Sequence, residues 1–200
     1  MLKHSQIAGI LVGFRLTIAP LPAWDAFDHQ ISSWFVGAYI LAVLSDIFDG
    51  ILARRLGVST AQLRQADSWA DISLYLCIAL STWWVYPQIV RDFQLPLIAA
   101  ISAQLLLFAT SLIKFGKFPS FHTYTAKIWG LSLLTATVSL FGFGNAAPLW
   151  LAIALCWVNS LEEIVMTLIL PQWQCDVLSL FHAVSLRREQ LAQPSESSLD

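Results

Sequence analysis

Six runs of mostly apolar residues follow one another along the chain: about Ile7 to Trp24, Ser33 to Leu56, Gln62 to Tyr86, Leu95 to Phe115, Tyr124 to Gly144 and Pro148 to Leu170. Pro, Gly and charged residues punctuate them. Each run is near the roughly 20 residues that a helix needs to cross bilayer hydrocarbon. The runs are too long and too uniformly apolar for the alternating strands of a membrane barrel, so helices must satisfy the backbone. The pattern predicts an all-α integral membrane protein with six transmembrane helices. Beyond them, Pro171 to Gln193 sets Val177, Leu178, Phe181, Val184 and Leu186 near one face, with Arg187 and Arg188 alongside. That is the pattern of a C-terminal interfacial helix. Residues 194–200 read as a disordered tail, so the expected organisation is one membrane domain over 1–193 followed by that tail.

Composition supports this reading. The 200 residues are 57% hydrophobic and 12% charged, about half the charge that a soluble domain carries. A net charge of −2 argues against a nucleic-acid binder, which needs a basic face. Cys77, Cys156 and Cys175 form no Cys-x-x-Cys pair, so they suggest neither a disulfide scaffold nor a zinc site. The first run holds Arg15, and Pro20 and Pro22 stand where signal-peptide cleavage would want small residues; it reads as a retained span. With six spans, ten of the eleven Lys and Arg residues fall on one side and only Arg91 on the other. The positive-inside rule then puts both termini in the cytoplasm, and so small a chain suits a bacterial-type inner membrane. Trp24, Trp34, Trp83, Trp84 and Trp150 sit near span ends, as an aromatic belt does.

Ionisable residues within membrane helices are costly and point to function. The second span ends Ser45-Asp46-Ile47-Phe48-Asp49-Gly50-Ile51-Leu52-Ala53-Arg54-Arg55, and the third begins Arg64-Gln65-Ala66-Asp67-Ser68-Trp69-Ala70-Asp71. At about 100° per residue, Asp46, Asp49, Gly50 and Ala53 share an arc of about 100°, and Asp67 and Asp71 are neighbours one turn apart. The short connection makes the two spans antiparallel neighbours, so four carboxylates converge at one end of a helix pair. Together they would repel, and isolated buried carboxylates would neutralise. A divalent cation removes the conflict, and an all-oxygen donor set favours Mg²⁺ or Mn²⁺, with two ions suiting four carboxylates better than one. Paired metals beside basic residues are equipment for phosphoryl transfer. Gly50 and Ala53 leave room for a ligand to approach the helix backbone, and Arg54 can pair with phosphate oxygens.

At these residues the chain resembles the CDP-alcohol phosphotransferase (CDP-alcohol phosphatidyltransferase) family. The family pattern runs Asp, two residues, Asp-Gly, two residues, Ala-Arg, eight residues, Gly, three residues, Asp, three residues, Asp. Asp46, Asp49, Gly50, Ala53, Arg54, Asp67 and Asp71 meet it in register, and Leu63 stands where the family has Gly. The resemblance implies a membrane enzyme that moves a phospho-group from a CDP-linked donor to an alcohol and releases CMP. It makes Asp46, Asp49 and Asp67 metal ligands; Asp71 would assist the second metal and take the proton of the acceptor hydroxyl. Gly50 and Ala53 would admit the CDP moiety and Arg54 would hold its phosphates. Arg15 resembles the basic residue of the family's first span, and Lys127, in His122-Thr123-Tyr124-Thr125-Ala126-Lys127, the one that opens the fifth; both would bind a phosphate of donor or acceptor. A homodimer is also implied. Leu63 would fill space that Gly leaves beside the nucleotide.

CDP-diacylglycerol is the expected donor, because a short chain without a soluble domain must meet its lipid among the helices. The acceptor alcohol is not readable, and the polarity could be reversed, with a CDP-linked headgroup passed to diacylglycerol. Outside this class stand a prenyltransferase, whose chain is usually longer; a cation transporter, which would place its site near the midplane; and a non-catalytic membrane protein. Glu162 and Glu163 lie deep in the sixth run and point about 100° apart, so they share one small site with difficulty. They fit either a structural polar network or a wall of the acceptor cavity. His122 fits a solvated residue near the interface or a phosphate contact.

Overall fold

The computed structural model describes Gly13 and residues 16–55 and 61–192, with side chains placed at Gly13, 16–48 and 69–190. No strand occurs among them. The helices are α1 (Pro20–Asp25), α2 (Phe35–Arg55), α3 (Ala61–Val85), α4 (Pro87–Asp92), α5 (Gln94–Phe115), α6 (Tyr124–Phe143), α7 (Pro148–Ile169) and α8 (Leu180–Ala192).

The punctuation residues set these boundaries. Pro148 occupies the first turn of α7, where its missing N–H costs nothing. Gly116 and Gly144 end α5 and α6 at φ of 65° and 67°, a left-handed conformation that L side chains rarely adopt. Pro87 starts a turn of helix in the connection between the third and fourth apolar runs, so that connection holds the short helix α4. Between the first and second runs, the Asp25 carboxylate accepts from the Ser32 N–H at 2.8 Å and from its hydroxyl at 2.6 Å.

Among the described residues three helices, α5, α6 and α7, are long and apolar enough to cross a membrane. The 22 residues of α7 reach about 33 Å, enough for the hydrocarbon. Phe35–Phe48 of α2 and Trp69–Val85 of α3, the parts of these helices whose side chains are described, are shorter apolar stretches. Of the expected first span, residues 16–18 and α1 are helical, and residues 1–12, 14 and 15 lie outside the described residues.

The central helix is α7, which packs on α5, α6 and α8. Its buried face carries Ala152, Cys156, Asn159, Glu163, Met166 and Thr167, at helical spacing. Leu151, Val158, Leu161, Val165 and Leu168 are exposed. Polar residues inside and large apolar ones outside are the arrangement that a lipid solvent favours. The buried face of α5 is small, Ala100, Ala103, Leu107 and Ser111, so α5 and α7 approach closely. At the end of this pair Lys114 donates to the carbonyls of Thr167 at 3.0 Å and Leu168 at 2.7 Å, closing the C-terminus of α7. A second core joins α2, α3 and α6 through Phe35, Tyr39, Leu74, Ile78, Leu140 and Phe141, with the Phe35 and Phe141 rings stacked at 4.4 Å, and takes in Ala19 and Ala26 on either side of α1.

The C-terminal helix is shorter than Pro171 to Gln193, because it begins at Leu180. Residues 171–179 give their hydrogen-bonding groups to the loop before α6 instead. Asp176 N–H donates to Ser120 O at 3.2 Å, Tyr124 N–H to Leu178 O at 3.1 Å, and the Trp173 indole to Phe118 O at 2.9 Å. Val177 and Ala183 are buried against Phe121, Met166 and Leu170, while Phe181, expected on the apolar face, is exposed. The Leu180 N–H, a donor that the first turn of α8 leaves over, reaches Glu162 Oε1 at 3.1 Å. Replacing Glu162 by Leu should therefore loosen α8 at a cost of about 1–3 kcal/mol. Limited trypsin digestion should cut at Arg187 or Arg188 faster in this variant; equal rates would mean that Glu162 does not hold the segment.

Candidate active site

A cavity of about 200 Å³ lies where α3, α5, α6, α7 and the loop before α6 meet. From α3 it receives Trp69, Asp71 and Tyr75, in which Asp71 and Tyr75 stand one turn apart. Phe108 of α5 and Phe118 of the loop close one side, their rings 5.8 Å apart, and Trp69 meets Phe118 edge-on at 5.2 Å. Trp129 of α6 lies 6.1 Å from Tyr75. Polar groups complete the wall: Gln104 of α5, Ser120 and His122 of the loop, Asn159 and Glu163 of α7.

The α7 side of the cavity is held by two threonines. Thr123, fully buried, caps α6 by accepting from Ala126 N–H at 3.1 Å. Its hydroxyl also lies 3.0 Å from Asn159 Oδ1, 3.4 Å from Glu163 Oε1 and 2.9 Å from the Thr125 hydroxyl. Thr125 in turn lies 3.0 Å from Asn159 Oδ1 and makes a short hydrogen bond to Glu162 Oε2. Each hydroxyl has one proton to give, so these acceptors share two donors. Glu162 and Glu163 thus enter one network despite their angular separation, because the adjacent threonines span it. Both glutamates fit the polar-network reading: Glu162 ties down α8, and Glu163 joins the network and also lines the cavity. His122 also lines the cavity, with Nδ1 3.2 Å from Ser120 O and 3.9 Å from the Asp176 carboxylate, and its side chain is 26% exposed.

Among the residues expected to form the site, Asp71 opens on the cavity and Asp46 is half-buried on α2. Asp49, Gly50, Ala53 and Arg54 fall on the helical course of α2 and Asp67 on that of α3, but their side chains lie outside the described residues, as do Arg15, Leu63 and the 56–60 connection. The convergence of four carboxylates is a reading that falls there too. Lys127 is exposed, its Nζ 5.0 Å from the Tyr124 ring, away from the cavity walls. No group of three or more His, Cys, Asp or Glu side chains able to hold a metal occurs among the described residues, a set that excludes Asp49 and Asp67. The donor chemistry of the motif, carboxylate oxygens alone, fits a hard divalent ion.

The family model for CDP-alcohol phosphatidyltransferase matches residues 5–173. The chain belongs to that family. The match takes in the acidic motif, the cavity and all of α7, and stops before α8. Family membership makes the chain a membrane transferase of phospholipid synthesis, of the kind that moves a phosphatidyl group from a CDP-alcohol to an alcohol acceptor. The family is generally dependent on a divalent metal. No curated protein and no solved structure gives a significant match to the chain.

The sequence pointed to Asp71, Glu162, Glu163 and His122, but not to Gln104, Ser120 or Trp129. Gln104, a polar residue within an apolar span, carried a signal of the same kind as Glu163. Ser120 sits in a loop and Trp129 in a span rich in aromatics, where neither stands out.

Proposed function

We propose that the protein transfers the phosphatidyl group of CDP-diacylglycerol to a small alcohol and releases CMP. The observation that carries this reading is the position of Asp71, the last aspartate of the motif, on the wall of a mostly apolar cavity that also holds Gln104, Asn159 and Glu163. An acceptor in that cavity has its hydroxyl beside a carboxylate able to take the proton. Asp46, Asp49, Asp67 and Asp71 would hold two Mg²⁺ or Mn²⁺ ions, which when bound polarise the diphosphate and offset the charge growing on the leaving group.

Asp71 removes the hydroxyl proton as the acceptor oxygen attacks the phosphorus that bears diacylglycerol. The new P–O bond forms in line with the anhydride bond to CMP, which breaks. Gly50 and Ala53 leave space for the nucleotide, and Arg54 holds its phosphates. Arg15 and Lys127 serve the donor's phosphates.

Purified protein should release CMP from CDP-diacylglycerol with one or more alcohols. Chelation should abolish the release, and Mg²⁺ or Mn²⁺ should restore it. Release only from a CDP-linked headgroup in the presence of diacylglycerol would reverse the assignment of donor and acceptor. Undiminished turnover after chelation would remove the metals from it.

A further inference from the structure

Two hydrogen-bonding groups on the cavity wall have no partner among the described residues. Ser120, only 5% exposed, leaves its Oγ unpaired, and the indole N–H of Trp129 is buried and unpaired. An unmet buried polar group costs about 1–3 kcal/mol, so such a pair in one cavity calls for a ligand or water. The backbone of the loop that bears Ser120 is held in place by Asp176 at Ser120 O, by the Trp173 indole at Phe118 O and by the Ser111 hydroxyl at Lys117 O, 2.8 Å away.

The chemistry of the walls narrows the ligand. The indole N–H can only donate and the serine hydroxyl can do both, so together they want a group with lone pairs. Facing groups on other elements, the carboxylates of Asp71 and Glu163, accept. A hydroxyl serves both sides at once, accepting from Trp129 or Ser120 and donating to a carboxylate. Aromatic faces at Trp69 and Tyr75 suit the C–H surface between hydroxyls. A phosphate ester would instead bring negative charge to a wall whose lining residues include no Lys or Arg to pair with it. None of the lysines of this end lines the cavity: Lys114 donates to the α7 carbonyls, Lys117 has its Nζ 4.7 Å from the Trp173 ring, and Lys127 lies over Tyr124. An ammonium group would satisfy the carboxylates but has no lone pair for the two unpaired donors.

We infer that the cavity is a specificity pocket for an unphosphorylated polyol acceptor, with Ser120 and Trp129 as its binding residues. This rests on the proposed transfer reaction for the identity of the second substrate, but binding can be read without turnover. Matched pairs test it: glycerol against glycerol phosphate and inositol against inositol phosphate, with ethanolamine as the amino alcohol. Each is measured by CMP release from CDP-diacylglycerol and by ligand-dependent quenching of tryptophan fluorescence without donor. The free polyol should exceed its phosphate ester by about 100-fold in kcat/KM, the scale of a charge left unpaired. Ser120→Ala and Trp129→Phe should each raise the polyol KM roughly tenfold, the size of one lost hydrogen bond, with the KM for CDP-diacylglycerol unchanged.

Preference for a phosphate ester or for ethanolamine would overturn the assignment, as would polyol binding that both variants leave intact or the absence of polyol binding altogether. If no acceptor releases CMP while a polyol still binds in a Ser120-dependent way, the pocket stands and the transfer reaction fails.

Discussion

Asp71→Asn should lower the rate of CMP release by about 10³-fold while leaving the protein folded. Proton abstraction by a positioned base is worth about 10²- to 10⁴-fold, and asparagine cannot supply it. The same change removes one negative charge from the proposed metal site, which adds to the loss. Asparagine has nearly the shape of aspartate and keeps hydrogen-bonding capacity, and Asp71 is only half-buried on its helix. The melting temperature in detergent should therefore stay within a few degrees of wild type. The measurement is single-turnover CMP release at saturating CDP-diacylglycerol and metal, so that altered binding does not pass for altered chemistry. Activity within tenfold of wild type would exclude Asp71 as the base and move that role to another group on the cavity, with Glu163 the next to test.

The helical course of the chain was largely legible because its punctuation is strong. The run expected over Tyr124 to Gly144 is Tyr124–Phe143, and that over Pro148 to Leu170 is Pro148–Ile169. Thr123, Gly144 and Pro148 act locally, and local signals survive in a sequence. The helix after Pro171 starts later than expected because the conformation of residues 171–179 is decided at a distance. Leu180 starts α8 where a carboxylate 18 residues earlier meets its N–H, and residues 173–178 follow the loop at 118–124 rather than their own helical pattern. The acidic motif was legible for the opposite reason: charge in apolar surroundings needs a cause wherever it occurs. Ser120 and Trp129 gain their meaning only from being brought together, unpaired, beside Asp71 and Glu163, and no spacing rule connects residues 71, 120, 129 and 163.

Thr123→Val should be the most damaging single change outside the acidic motif, because one hydroxyl does several jobs in a place that water does not reach. Valine has the same shape, so no void opens, and the loss is polar. Ala126 N–H loses its cap acceptor, which costs about 0.5–2 kcal/mol. Asn159 Oδ1 and Glu163 Oε1 lose a donor in a buried setting, adding about 1–3 kcal/mol. For a chain of this length the sum corresponds to a fall of roughly 5–15 °C in melting temperature. Because Asn159 and Glu163 line the cavity, a stable fraction of the variant should also bind its acceptor more weakly, with donor binding unaffected. Thr123→Ser keeps the hydroxyl and loses only a methyl group, so it should recover most of both properties. Equal melting temperatures for the Val and Ser variants would mean that the hydroxyl does not anchor α6 to α7, and the cavity wall would then owe its order to packing alone.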